Sequence, residues 1–212
     1  MINVRVGMAL PNHFVLDPRV QKSLDDLVAD KSRCNFTPFI AYGPCSAHNF
    51  NRIILRKATS GGCDVIDLAN TAIDTYDYLL LVDSDNIFTP QDVFKLLDRD
   101  LDYVTGVYES RYSHNYNCGL FNSDGNIRDG ITIGTKGLVE VDWCGTGLSL
   151  IKSNVLKKMK FPYFVTKYKV DDVNKTAELV LFDVYFSKKV TAAGFKIFAD
   201  CDVKIGHIGV DC

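Results

Sequence analysis

Apolar residues recur at two spacings along this chain, and the change from one to the other marks its elements. Across residues 1–10, Val and Ile alternate with Asn and Arg, the period of a strand, and residues 4–10 form the first one. Asp17 as N-cap and Pro18 at the first helical position then open a helix. Its Val20, Leu24, Leu27 and Val28 recur at helical spacing and give it one apolar face. Residues 36–42 read as a second strand, ended by Gly43 and Pro44. Ser46 caps a helix predicted to run to about Thr59, with Ile53, Ile54 and Ala58 inward, and Gly61 and Gly62 break it. Residues 78–82, YLLLV, are apolar without alternation, which fits a strand covered on both faces. Thr89 caps the next helix, Pro90 begins it, and Val93, Phe94, Leu96 and Leu97 face inward. Residues 103–108 return as a strand.

Strand and helix thus alternate through the first half, the pattern of an α/β protein with a twisted, mostly parallel sheet. The second half is less regular. Residues 115–135 are rich in Gly, Asn and Asp and read as loops or a hairpin. Residues 139–151 read as strand, turn, strand around Cys144, Gly145, Thr146 and Gly147. Residues 176–193 read as a helix stopped by Gly194. No repeat, low-complexity tract or linker interrupts the chain. It is read as one domain over 1–212, in two halves, 1–110 and 111–212.

Composition narrows the class. The 212 residues are 47% hydrophobic with a net charge of -2, ordinary for a globular protein that builds its own core. Nothing in that balance favours nucleic acid or an anionic membrane as partner. No apolar run is long enough to span a bilayer, and the N-terminus lacks the pattern of a signal peptide. The cysteines, Cys34, Cys45, Cys63, Cys118, Cys144, Cys201 and Cys212, are scattered, odd in number and without a CxxC pair. They read as reduced thiols of a cytoplasmic protein, in which the sequons at Asn35 and Asn174 carry little meaning.

The candidate chemistry lies at four places. Asp83, Ser84 and Asp85 follow YLLLV at the carboxyl end of a strand, where ligands of open α/β sheets bind. Two carboxylates one residue apart suit a hard divalent cation that keeps positions open for phosphate oxygens. A D-x-D alone is weak, since acids are common at strand ends and helix caps; its place after a buried strand is what raises it. His207, between Gly206 and Gly209, offers an imidazole as a third donor, suited to Mn²⁺; a lone His is also often a satisfied core or surface residue. Gly145 and Gly147 flank Thr146 as in a tight turn against a ligand, or equally in a plain β-turn, beside the only tryptophan, Trp143. Asp183 falls on or beside a helix face shared by Leu179, Phe182, Phe186 and Val190. A carboxylate there is paired, as in a helix-sheet salt bridge, or functional.

Taken in order, NRIILRKA, DYLLLVDSD with TPQDVFKLL, VTGVYESR, VDWCGTGLSLIKSNVLKKM, FDVYFSKKVTAAGF and KIGHIG resemble the GT-A superfamily of nucleotide-sugar glycosyltransferases, over nearly the whole chain. Within it the pattern is similar to capsid-glycosylating domains of large algal DNA viruses. The resemblance implies a GT-A fold, with a nucleotide-binding half over 1–110 and a donor-sugar and acceptor half over 111–212, and transfer of a hexosyl or deoxyhexosyl group from a UDP-sugar to a glycan or glycoprotein hydroxyl. It implies Asp83, Asp85 and His207 as ligands of Mn²⁺ or Mg²⁺, with Asp83 and Ser84 also at the nucleotide-sugar. Leu10 and Pro11 would hold the uracil, Arg52 or Arg56 the nucleotide, and Trp143 and Gly145 would border the sugar. Asp183 would face the reacting centre, although Phe182 stands where many inverting members carry Glu. An ending five residues after His207 suggests the first domain of a longer polypeptide.

Other classes fit less well. A haloacid-dehalogenase-type phosphatase also uses D-x-D after an apolar strand, but near its N-terminus and with Thr or Val where this chain has Ile87. A sugar-nucleotide pyrophosphorylase needs a Gly-rich basic loop that is missing here. A non-catalytic nucleotide-sugar or glycan-binding module is the rival outside enzymology, and the acidic residues argue against it.

Overall fold

The computed structural model describes residues 1–55, 68, 71–111, 113–123 and 127–209. Strand β1 (Ile2–Leu10) leads to helix α1 (Pro18–Ala29), strand β2 (Cys34–Tyr42) and helix α2 (Ser46–Leu55). Strand β3 (Tyr78–Val82), a two-residue strand β4 (Asn86–Ile87), helix α3 (Pro90–Asp98) and strand β5 (Tyr103–Val107) complete the first half. The local signals act as the sequence implies. The Asp17 side chain accepts from Arg19 N at 2.8 Å ahead of Pro18. Thr89 and Asp92 form a reciprocal capping box on α3, worth about 1 kcal/mol. Ser46 is the first residue of α2 rather than a cap outside it. Ala58, Thr59, Gly61 and Gly62, predicted to extend and end that helix, lie outside the described residues.

The second half departs further from expectation. Strands β6 (Asn115–Phe121) and β7 (Ile127–Thr132) form the foreseen hairpin. Strand β8 (Leu138–Val141), the short β9 (Trp143–Cys144) and β10 (Leu148–Lys152) follow, then helix α4 (Ser153–Lys158). β8 and β10 do not pair with each other. β8 lies at the sheet edge, whereas β10 inserts between β3 and β5, so the Cys144–Gly147 turn carries the chain across the sheet. The helix predicted over 176–193 is corrected. Thr176–Val180 is strand β12, paired antiparallel with β11 (Lys167–Asp171), and helix α5 begins only at Phe182 and ends at Ala192. The cross-strand partner decides this, since Tyr168 stands opposite Leu179 and Val170 opposite Ala177. Leu179 is therefore half-exposed on the hairpin and not on a helix face with Phe186 and Val190. Gly194 stops α5 with a left-handed φ of 89°. Strand β13 (Ile197–Lys204) and the two-residue β14 (Gly206–His207) are the last elements among the described residues.

The main sheet runs β2-β1-β3-β10-β5-β13-β8. Five strands share a direction, while β10 and β8 oppose them, so half of the neighbouring pairs are antiparallel and the sheet is mixed. Both faces are covered. Leu80 and Val82 pack in one core with α1 and α3, and Leu79 and Leu81 in another with α2, α4 and α5. That is why YLLLV does not alternate. Among the described residues no helix is long and apolar enough to cross a membrane. Cys34, Cys45, Cys118, Cys144 and Cys201 are free thiols.

Candidate functional site

The carboxyl ends of β1, β3 and β5 lie along one edge of the sheet. Gly7 is level with Leu81 in the parallel β1–β3 pair. β1 runs three residues past this pairing to Leu10, and Pro11 follows it at the same edge. The segment leaves β3 in a turn in which Asn86 N donates to the Asp83 carbonyl at 3.4 Å. β4 then pairs with β14, setting His207 opposite Asn86, one residue from Asp85. The Ile208 N–H donates to the Asp85 carbonyl at 2.8 Å. This small antiparallel bridge joins two motifs more than a hundred positions apart.

His207 is oriented from both sides. Its Nδ1 lies 2.7 Å from the Glu109 carbonyl. A carbonyl only accepts, so Nδ1 carries the hydrogen and the lone pair of the neutral ring sits on Nε2. Nε2 faces Asp85 Oδ2 at 3.6 Å. The edge of the ring meets buried Tyr108, with centroids 5.0 Å apart. A histidine whose outer nitrogen binds a backbone carbonyl and whose inner one faces a carboxylate is arranged as metal-binding imidazoles are.

Asp83 does not join that pair. Its Oδ1 accepts from Thr146 Oγ1 at 2.7 Å, and its N–H reaches the Gly147 carbonyl at 3.4 Å. Burial, with the nearby Asp85 and Asp183 carboxylates, pushes its carboxyl up to about 7, against the opposing Thr146 bond. Ser84 lies half-buried between the two acids. Among the described residues no group of three or more His, Cys, Asp or Glu side chains is gathered around one point. The arrangement offers two donors, Asp85 and His207, with a third carboxylate held just behind.

Asp183 stands in the first turn of α5. Its Oδ1 accepts from Val184 N at 2.7 Å, and burial pushes its carboxyl up to about 6. The foreseen helix-sheet salt bridge to it is not present among the described residues. Instead Ser187 Oγ donates to the Asp183 carbonyl at 2.9 Å and accepts from Cys144 N at 3.3 Å, tying α5 to the turn that carries Thr146. Asp85 and Asp183 each lie near enough to Asp83 for their charge to act on its carboxyl. Burial pushes the Cys144 thiol up to about 12, so it is no nucleophile.

The remaining predicted residues separate. Leu10 is a buried core residue whose carbonyl accepts from Gly43 N and Asn49 Nδ2, while Pro11 is exposed at the same edge. Arg52 Nη1 donates to the Tyr42 carbonyl at 2.8 Å and to Asn49 at 3.3 Å, a tie between α2 and the end of β2. Arg56 lies outside the described residues. Trp143 is buried on β9 opposite Gly119, and its indole N–H has no partner among the described residues. Gly145 and Gly147 are explained by packing. A Cβ at Gly145 would collide with Asn117 and Tyr108, and one at Gly147 with Asn86 and Tyr108.

Several residues of this edge went unread in the sequence. Arg111 Nη2 donates to Asp85 Oδ2 at 2.6 Å, forming an ion pair. Tyr108, bonded by Asn117 at 2.5 Å, supports both His207 and the glycine turn. Their one signal was position, since VYESR leaves β5 at the same edge as the D-x-D. A cavity of about 330 Å³ opens behind His207, between Tyr108, Glu109, Tyr116, Ile133 and Lys204.

No protein-family model matches the chain, and no curated protein matches it in sequence. The fold has counterparts among solved structures. One, described as the crystal structure of A197 from STIV, aligns over 98% of this chain and 86% of its own with a TM-score of 0.57. The two are 19% identical, so the likeness is one of fold.

Proposed function

We propose that this chain is a metal-dependent glycosyltransferase of the GT-A type. It would move a hexosyl or deoxyhexosyl group from a UDP-sugar to a hydroxyl of a glycan or glycoprotein. The observation that carries the reading is the Asp85–His207 pair: Nε2 faces Oδ2 at 3.6 Å, the ring is fixed by Glu109, and the pair sits at the ligand-binding edge of an α/β sheet. Two protein donors with open positions suit a cation that shares its shell with a diphosphate and water. Asp85 and His207 would hold Mn²⁺ or Mg²⁺, which supplies Lewis-acid stabilisation of the departing diphosphate.

The chain's own residues would do the rest. Exposed Pro11, following Leu10 at the end of β1, would meet the base. Asp83, held by Thr146, would stand behind the cation site. Asp183 has its carboxyl near 6, so it is ionised at neutral pH yet basic enough to take a proton from an attacking hydroxyl. In an inverting reaction that is its task; in a retaining one it would face and stabilise the sugar. The anomeric configuration of the product, read by NMR, separates the two.

The test is calorimetry of UDP binding with and without Mn²⁺. The wild-type chain should bind UDP tightly only with Mn²⁺, and Asp85→Ala should lose that dependence. UDP binding by Asp85→Ala that still rises with Mn²⁺ would sink the metal assignment. Slow Mn²⁺-dependent hydrolysis of a UDP-sugar separates an enzyme from a binding module, which should show none.

A further inference from the structure

Asp85 already has a cation on it. Arg111 Nη2 lies 2.6 Å from Asp85 Oδ2 and 2.6 Å from the Ile208 carbonyl, and Nε lies 3.1 Å from the same carbonyl. The oxygen that Arg111 holds is the one facing His207 Nε2 at 3.6 Å. With ligand bonds of about 2.1 Å, two donors on one octahedral ion lie about 3.0 Å apart at right angles and about 4.2 Å apart when opposed. The His207–Asp85 separation falls between these values. A divalent ion can therefore take both donors with little movement of either. It cannot do so while Arg111 keeps that oxygen, because guanidinium is permanently charged and would lie within a few ångströms of the ion.

We propose that Arg111 and the divalent cation exchange places on Asp85, and that the displaced guanidinium becomes a ligand of the nucleotide's diphosphate. This rests on the metal reading above. Arg111 is suited to both positions. Its side chain is about one-third exposed, and it is tethered to the fold through the Ile208 carbonyl and Asp85. It leaves β5 at the same sheet edge as Asp83, whose carboxyl feels its charge. A planar fork of donors matches phosphate oxygens as well as carboxylate oxygens. Without cation or nucleotide, Arg111 would neutralise Asp85 and keep the acidic edge together. With both bound, one positive charge would have moved from the acid to the leaving group.

The exchange predicts effects of opposite sign, which a merely structural arginine would not produce. Mn²⁺ binding to the nucleotide-free chain is read from the EPR signal of free Mn²⁺, and UDP binding at saturating Mn²⁺ by calorimetry. Arg111→Gln should bind Mn²⁺ about tenfold more tightly and UDP about tenfold more weakly, following the removal of one charge at contact range. Arg111→Lys should stay near wild type in both. In the wild-type chain, ¹⁵N NMR of arginine Nε, assigned by loss of the signal in Arg111→Lys, should show one shift with Mg²⁺ and a second with UDP. Unchanged or weaker Mn²⁺ binding by a folded Arg111→Gln would overturn the exchange. Undiminished UDP affinity would overturn the diphosphate role. An Nε signal that ignores Mg²⁺ would overturn the exchange, and one that ignores UDP the diphosphate role, even if Arg111→Gln failed to fold. Mn²⁺ uptake by neither protein would instead sink the metal reading itself.

Discussion

Replacing Asp83 by Asn should make the folded chain more stable above pH 7. In the unfolded chain this carboxyl titrates near 3.8, and in the fold near about 7. Burial is the larger cause, and repulsion from Asp85 and Asp183 adds to it. Between those two values the folded state holds a proton that the unfolded state has released. Stability therefore falls as pH rises through this window, and the loss is complete above the folded value. The gap is about three units, and at about 1.4 kcal/mol per unit the ceiling is about 4 kcal/mol. An asparagine can still accept from Thr146 through Oδ1 and carries no charge to bury. At pH 8.5 in EDTA we expect Asp83→Asn to be about 2–4 kcal/mol more stable than wild type, or about 5–10 °C in Tm for a chain of this size. At pH 4 the two should nearly coincide. Thermal and urea unfolding across pH 4–9 give the curve. A variant that is equally or less stable at pH 8.5 would refute the reasoning, because the anion would then be stabilised in the fold.

Asp183→Asn should retain Mn²⁺-dependent UDP binding and lose transfer by about 10²–10⁴-fold if it serves as general base. The wild-type rate should fall as pH drops below about 6, where Asp183 takes up a proton; full turnover by the variant, or a flat profile through that pH, would make the residue structural. Gly145→Ala should cost about 1–3 kcal/mol, since its Cβ would overlap Asn117 and Tyr108 and force both to move. A wild-type unfolding midpoint for that variant would show that the turn has room to spare.

Much of the first half of the fold was legible in the sequence because its signals are local. Asp17 and Pro18 start α1, and Thr89, Pro90 and Asp92 start α3, through hydrogen bonds within a few residues. The unbroken apolar run of β3 announced burial on both faces and so set Asp83 and Asp85 at a strand end. The run over 176–193 misled because helical spacing and a half-exposed strand both tolerate Leu179. Only the partner strand β11 settles which one forms.

What the chain alone determined, then, is where helices start, which strand is central, and which residues carry ionisable chemistry. The tertiary structure decided which of these meet. It inserted β10 antiparallel between β3 and β5, bringing Thr146 onto Asp83. It paired β14 with β4 and turned Nε2 of His207 toward Asp85. It delivered Arg111 from the end of β5 to the same oxygen that His207 faces. The physical reason is range. Caps and apolar periods depend on neighbours a turn away, whereas strand order and the pairing of buried charges depend on residues that become neighbours only after the sheet has closed around them.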